Sequence, residues 1–511
     1  MASLQLLPPE LYTAILAHIP DFDLRKAIIS LARAIPRSPV PQDLLFHSVT
    51  LTHPDQITQL SRCLESCPER SLCVRECIFE ADTRDADAVV KLARSMANLT
   101  CLKLVVTLPY FPPVLLDELL RGPWVKLNTV GLHFKFPVRG NNHEPPKIPC
   151  FDAVLEALCG LESLRILSIV QDPIERAGPA PQSWATGLPR TNSGRTSSSN
   201  PLVFDANDPF ASNIVQPLFT PPASFAFSLD NPFVPNPAEP YPFNSPAHKP
   251  LCVFNSLTPL SQTLPALRFL RLRLPSLSVA KQVYAPTSVL DRIELLDLSA
   301  CIVKDYDVKR ILGRFANLCH LVLDNTGVLR GEFGRAEWRQ LGKDCALAGL
   351  RKAREREAKV KEWLDMGGRA AILPGESVPG EIREIRILPR APTLLSLCAT
   401  MLNYVPGVWF TVRQEFEIGW WAGMAELVAI TAALKTSFTS GMKVVKFAAN
   451  MNGPEDDEGI NGLQDVDMAD FEVDVAGRIC PVLCLAGPGR RNSHTPGCGH
   501  RAGWEVWKDD L

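Results

Sequence analysis

The stretch "FANLCHLVL", residues 315–323, places apolar side chains at Phe315, Leu318, Leu321 and Leu323, in steps of three, three and two. Two steps of three suit the end of a helix and the turn after it, and the final step of two puts both residues on one face of a short strand. The same steps occur at Leu290, Ile293, Leu296, Leu298 and at Leu264, Leu267, Leu270, Leu272. Earlier in the chain they occur at Met96, Leu99, Leu102, Leu104; at Trp124, Leu127, Val130, Leu132; and at Leu161, Leu164, Leu167, Ile169. Six occurrences of one spacing predict repeated copies of one structural unit.

Successive third positions lie 28, 37, 103, 26 and 25 residues apart. The long gap contains residues 172–256, which are rich in Pro, Ser and Asn and have no period. Such a segment cannot bury enough apolar surface to offset its chain entropy, so it reads as a disordered insert. Without it the gap shrinks to one repeat, which places the insert in a loop between units. Helical spacing fills the other intervals, in "ADAVVKLARSMANL", "FDAVLEALCGL" and "YDVKRILGRFANL".

This pattern resembles the leucine-rich repeat. The resemblance implies an α/β fold in which one strand and one helix per unit stack into a solenoid with a parallel sheet, over residues 49–171 and 257–330. The Asn or Cys usual after the strand occurs as Cys301 and Asn325, so the repeats are of an irregular, degenerate type.

Composition agrees with a globular chain that is either divided into units or built as an array: 511 residues, 46% hydrophobic and 21% charged. A net charge of -2 exerts no general pull on nucleic acid or anionic lipid, so neither is expected as a partner. The opening residues lack a basic, uninterrupted apolar signal, which predicts a cytoplasmic or nuclear protein whose 15 cysteines stay reduced. The most membrane-like stretch, "IGWWAGMAELVAITAAL" at 418–434, carries Glu426 and is short for a span, so it reads as a buried or amphipathic helix.

Beyond the second set of repeats, residues 331–454 read as a helical and capping region. It contains a strongly charged helix at 336–366, a strand in "EIREIRILP" at 381–389, and a helix over about 410–438. That helix carries Phe416, Trp420, Met424, Leu427, Val428 and Leu434 on one stripe, and "MKVVKFAAN" follows as a further strand. Residues 455–476 read as an acidic, solvated loop and 477–511 as a C-terminal tail in which Trp504 and Trp507 pack onto the body.

The N-terminal residues 1–48 form a separate helical piece. Pro8 and Pro9 suit a first helical turn and Glu10 its positive end, with Leu11, Ile15, Leu16 and Ile19 on one face. Asp23 is expected to cap a second helix carrying Leu24, Ile28 and Leu31, and "PVPQDLLFHSV" supplies a third short element. Leu7-Pro8, Glu10-Leu11, Ile15-Leu16 and Asp23-Leu24 resemble the F-box motif, and an F-box ahead of leucine-rich repeats is similar to the F-box-like proteins of fungi. The third element lacks the tryptophan often found there.

The resemblance implies a substrate-recognition adaptor of a ubiquitin ligase. Leu7, Pro8, Leu11, Ile15, Leu16, Ile19 and Leu24 would bind the Skp adaptor subunit of a cullin-RING ligase, and the repeats would hold a protein substrate. The alternatives from the residues alone are a hairpin that merely caps the first repeat, or a ligase-independent interaction scaffold.

Two cysteine groups invite a metal. Cys63, Cys67, Cys73 and Cys77 have gaps of three residues within each pair, which suit core packing better than zinc. Cys480, Cys484, Cys498 and His500 in the tail could coordinate a metal across a Gly-rich loop. No nucleophile elbow, phosphate-cradling loop or paired-histidine motif occurs, so no enzyme activity, catalytic residue, cofactor or metal is assigned.

Overall fold

The computed structural model describes residues 7–19, 21–35, 41, 43–80, 85–107, 110–135, 150–172, 264, 266–275, 277–285, 290, 292–326, 334–365, 385–400, 406–447, 463–472, 478–486 and 494–508. Contacts divide the chain into two units, Met1–Glu175 with Lys249–Leu511, and Arg176–His248; all described residues fall in the first. Apart from Asp172, the expected insert therefore lies outside the described residues.

In chain order the strands are β1 (Ser48–Leu51), β2 (Glu76–Phe79), β3 (Cys101–Thr107), β4 (Thr129–Lys135), β5 (Ile166–Gln171), β6 (Phe269–Arg273), β7 (Leu295–Asp297), β8 (His320–Val322), β9 (Ile385–Ile387), β10 (Ser396–Cys398), β11 (Lys443–Phe447), β12 (Leu463–Asp465) and β13 (Val482–Cys484). Ten of them form one sheet, ordered β1 to β8, then β10 and β13, with every pair parallel. The fold is thus α/β around a long parallel sheet. Although 97 residues separate them, β5 and β6 pair in register from Ile166↔Phe269 to Val170↔Arg273.

The repeated spacing explains the register. Its third positions line up across the strands as Leu102, Val130, Leu167, Leu270, Leu296 and Leu321, each buried. The same row continues to Cys77 on one side and to Leu397 and Leu483 on the other. A register slip of one residue would turn this row out of the core, so burial of one face fixes the pairing. Helices Ala86–Arg94, Pro113–Leu120, Cys150–Cys159 and Asp305–Arg314 return the chain between strands and bury their apolar stripes in the same core. Cys301 donates its thiol proton to the Leu272 carbonyl at 2.9 Å, and Asn325 takes a left-handed turn, with φ of 55°, just after β8.

Several expectations for the second half are revised. The charged segment 336–366 is two helices, Arg335–Ala346 and Ala348–Asp365, because each follows a different support. The first lies against the long helix Pro406–Thr439 and the second against β9. On the long helix Phe416, Trp420, Met424 and Leu427 are buried, whereas Val428 is exposed and Leu434 joins a separate cluster with Leu388, Val444, Val466 and Phe471. Strand β9 does not extend the main sheet; it pairs with β11, and β11 with β12, in a small second sheet.

Within the acidic stretch 455–476, residues 463–472 are not a loop: they form β12 and a 3-10 turn, Met468–Phe471, that buries Phe471. Asp465 and Asp470 there pair with Lys443 and Lys446. Residues 478–486 of the tail contribute β13, the last strand of the main sheet. Among the described residues no helix is long and apolar enough to cross a membrane.

Candidate functional site

The first N-terminal helix starts as the sequence suggests. Pro8 is extended, with φ of -66° and ψ of 153°, and Pro9 opens the helix Pro9–Leu16 with Glu10 in its first turn. The second helix, Asp21–Ala34, begins three residues earlier than an Asp23 cap would place it, which puts Asp23 inside the first turn. A third, Leu44–His47, leads directly into β1.

These helices hold a small core of their own, distinct from the core of the sheet. Tyr12, Leu16 and Ile28 are its buried centre, with Leu7, Ile19, Leu24, Ala27, Leu31, Leu44 and Leu45 partly buried around them. The seven expected docking residues therefore divide. Leu16 is sealed inside at 1% exposure, which corrects its assignment to an open stripe, and Leu7, Ile19 and Leu24 lean on the same cluster. Pro8 is exposed, and Leu11 and Ile15, four apart and so on one helical face, are 48% and 51% exposed. Tyr12, the inward partner of Leu16, was not among the expected residues, although its spacing of four from Leu16 marks it.

A second constellation lies at the other end of the sheet. Cys398 and Cys484 are directly paired across β10 and β13. Their row on the face opposite the helices reads Lys103, Gly131, Ser168, Arg271, Asp297, Val322, Cys398, Cys484. The helix Gly499–Trp507 lies on this face. A Cβ on Gly499 would stand 2.9 Å from Ser396 Oγ and 3.2 Å from Cys398 Sγ, so the helix starts with the residue that lets it approach the strands. Eight residues on, Trp507 lies on the Arg271 guanidinium, and Lys508 pairs with Glu76 at 2.7 Å. A nine-residue helix spans about 13 Å, close to the roughly 14 Å across the three strand spacings from β10 to β6.

The helix also brings Cys498 and His500 to the paired cysteines. The ligand atoms of Cys398, Cys484, Cys498 and His500 all lie within 4.8 Å of one another, and all four residues are buried. His500 Nε2 donates to Asp324 Oδ2 at 2.7 Å, and Thr400 Oγ1 donates to the other oxygen of that carboxylate at 2.8 Å. His494 stands beside them, its Nδ1 3.4 Å from Cys484 Sγ and 3.7 Å from Cys498 Sγ, with its ring edge-on to His500. Burial would lower the His500 imidazole, but Asp324 and the two neighbouring thiols outweigh it and raise it to about 11. Burial pushes the Cys398 thiol well up, whereas the sulfur contacts of Cys398 and Cys484 pull Cys498 strongly down.

Of the tail residues expected to approach a metal, Cys484, Cys498 and His500 do come together. Cys480 does not: its thiol faces the Pro481 carbonyl, and the residue leans on the main core. Its place is taken by Cys398, which sequence spacing did not single out. The earlier cysteine group is not gathered in this way. Cys77 is buried in β2, while Cys63 on the preceding helix, Cys73 at the end of the 3-10 turn and Cys67 at the junction between the two are half-buried.

No protein-family model matches the chain, and a search of curated proteins finds no match.

Proposed function

We propose that this protein is the substrate-recognition adaptor of a Skp-cullin-F-box ubiquitin ligase. In this reading the N-terminal helices are an F-box hairpin and the strand-helix units are irregular leucine-rich repeats stacked as a solenoid. The hairpin docks on the Skp subunit, the repeats hold a protein substrate, and other subunits transfer ubiquitin in the cytoplasm or nucleus. No catalytic group of this chain takes part.

The observation that carries the reading is the exposure of Leu11 and Ile15, 48% and 51%, on a hairpin whose opposite side already has its own core. Neither residue belongs to that core, and each, already about half covered, would contribute roughly 0.7–1.5 kcal/mol on full burial in an apolar groove. The sealed position of Leu16 restricts the docking surface to the outward stripe of Pro8, Leu11 and Ile15 and its margins. The test is co-expression with a Skp subunit and affinity purification of the pair. The full-length protein is expected to retain Skp, and the double variant Leu11→Asp, Ile15→Asp to lose it, since each carboxylate would be desolvated without a partner. Equal recovery of Skp by the folded double variant would overturn the proposal.

A further inference from the structure

We propose that Cys398, Cys484, Cys498 and His500 bind one zinc ion, which fastens the helix Gly499–Trp507 to the edge of the parallel sheet. The inference is independent of the adaptor reading.

The distances suit the ion. Tetrahedral zinc with bonds of about 2.3 Å to sulfur and 2.0–2.1 Å to nitrogen separates its ligand atoms by roughly 3.5–3.8 Å. The four atoms lie within 4.8 Å of one another, so small side-chain rotations complete the shell. The chemistry selects the metal: three thiolates and an imidazole favour zinc over magnesium or calcium, which prefer oxygen. Four protein ligands, all buried, leave no open position, as in a site that holds structure instead of performing catalysis.

A second observation comes from His500, which is 5% exposed. Its Nε2 is occupied by Asp324, while its Nδ1 is buried and makes no hydrogen bond. Metal-bound histidines commonly donate their second ring nitrogen to a carboxylate, which fixes the tautomer that leaves the other nitrogen's lone pair free. Asp324, itself held by Thr400, plays that part. His494 has no such carboxylate on its ring and is assigned outside the ligand shell, packed against it.

The balance of the binding step is simple. Zinc takes up three thiolate lone pairs and the Nδ1 lone pair, every proton held on the three sulfurs and on Nδ1 passes to solvent, and bound His500 is a neutral imidazole that keeps only its Nε2 proton, donated to Asp324. The bound group carries a net charge of -1. Its position ties three separate parts of the chain together: β10, β13 and the start of the helix.

The full-length protein, purified with reductant from zinc-supplemented medium, is expected to hold about one equivalent of zinc by elemental analysis, and less than about a tenth would overturn the proposal. Replacement by cobalt(II) should give a thiolate-to-cobalt charge-transfer band with tetrahedral ligand-field absorption; a spectrum without the thiolate band also overturns it. Cys398→Ser should lose the metal while Cys480→Ser keeps it, and the reverse pattern rejects the ligand set. His500→Asn should lower metal retention while His494→Asn preserves it, and the opposite ranking rejects His500. Should Cys398→Ser fail to fold, chelation of the native protein supplies the remaining readout. Removing zinc should speed amide exchange across 499–507 by about tenfold or more, and unchanged exchange there rejects the fastening role.

Discussion

The Arg271 guanidinium lies 4.5 Å from the centre of the Trp507 ring, and its Nε lies 3.3 Å from the buried Asp297 carboxylate. One arginine thereby joins the central strands of the sheet to the helix that crosses them. A cation over an aromatic face and a buried carboxylate both gain strength where water is excluded.

Trp507 is 2% exposed, so Trp507→Ala should cost about 3–5 kcal/mol, read as a lower midpoint in chemical denaturation. Trp507→Phe should restore part of the loss. A cost below about 1 kcal/mol for Trp507→Ala would mean that this helix opens independently of the sheet.

Asp297 makes stability depend on pH. Burial alone would raise its carboxyl, but Arg273 and Arg271, together with Ser299, hold it below its usual value. A depressed carboxylate contributes stability above its unfolded value of about 3.9, and that contribution disappears as pH falls through the folded value. Asp297→Asn should therefore cost about 3–5 kcal/mol near neutrality, because it leaves buried arginine charge uncompensated. The gap between variant and parent should narrow below about pH 4. A constant gap over the whole acid titration would contradict this account.

Two glycines should respond in opposite ways. A Cβ on Gly419 would stand 1.8 Å from the Arg339 carbonyl oxygen, where the helices Arg335–Ala346 and Pro406–Thr439 touch backbone to backbone. Gly419→Val should push these helices apart and cost 3 kcal/mol or more, to about 5, if the protein folds at all. Gly313, inside the helix Asp305–Arg314, has nothing within 4 Å of its Cβ position. Gly313→Ala should raise stability by about 0.5–1 kcal/mol. Thermal melts of the two variants check both signs.

Within the N-terminal hairpin, interior and exterior residues are separable. Leu16→Ala should cost about 2–3 kcal/mol of local stability by opening a cavity beside Tyr12 and Ile28, seen as faster exchange across 9–16. Leu11→Ala, on the exposed side, should leave that exchange within about a factor of two or three. Equal effects would show that the two sides are not distinct.

The fold was legible wherever the repeated positions hold large apolar side chains. Strands β3 to β8 were marked this way, and their core rows follow from the spacing alone. Strands β2 and β10 carry the same steps at Ser71, Val74, Cys77, Phe79 and at Ala391, Leu394, Leu397, Ala399, but small or polar residues at some positions hid them. Strand β13 fell in a segment whose Gly, Pro and Cys content suggested a tail. The Cys/His cluster was legible in part for a different reason. Cys484, Cys498 and His500 lie in one stretch, whereas Cys398 lies 86 residues before Cys484 and reaches it through lateral strand pairing, which no local spacing encodes. For the N-terminal hairpin, helical spacing grouped Leu11, Ile15 and Leu16, yet only the packing of Tyr12 and Ile28 decided that Leu16 turns inward.

The neighbouring placement of β5 and β6 makes the molecule divisible. Closing a connection of 97 residues costs only about 1 kcal/mol more than closing one the length of the β6 to β7 link. The length of this link therefore decides little, and the register and buried side chains of β5 and β6 carry the recognition between the two sets of strands. A protease nick there should leave the halves associated under native conditions, and fragments produced separately should complement one another when mixed.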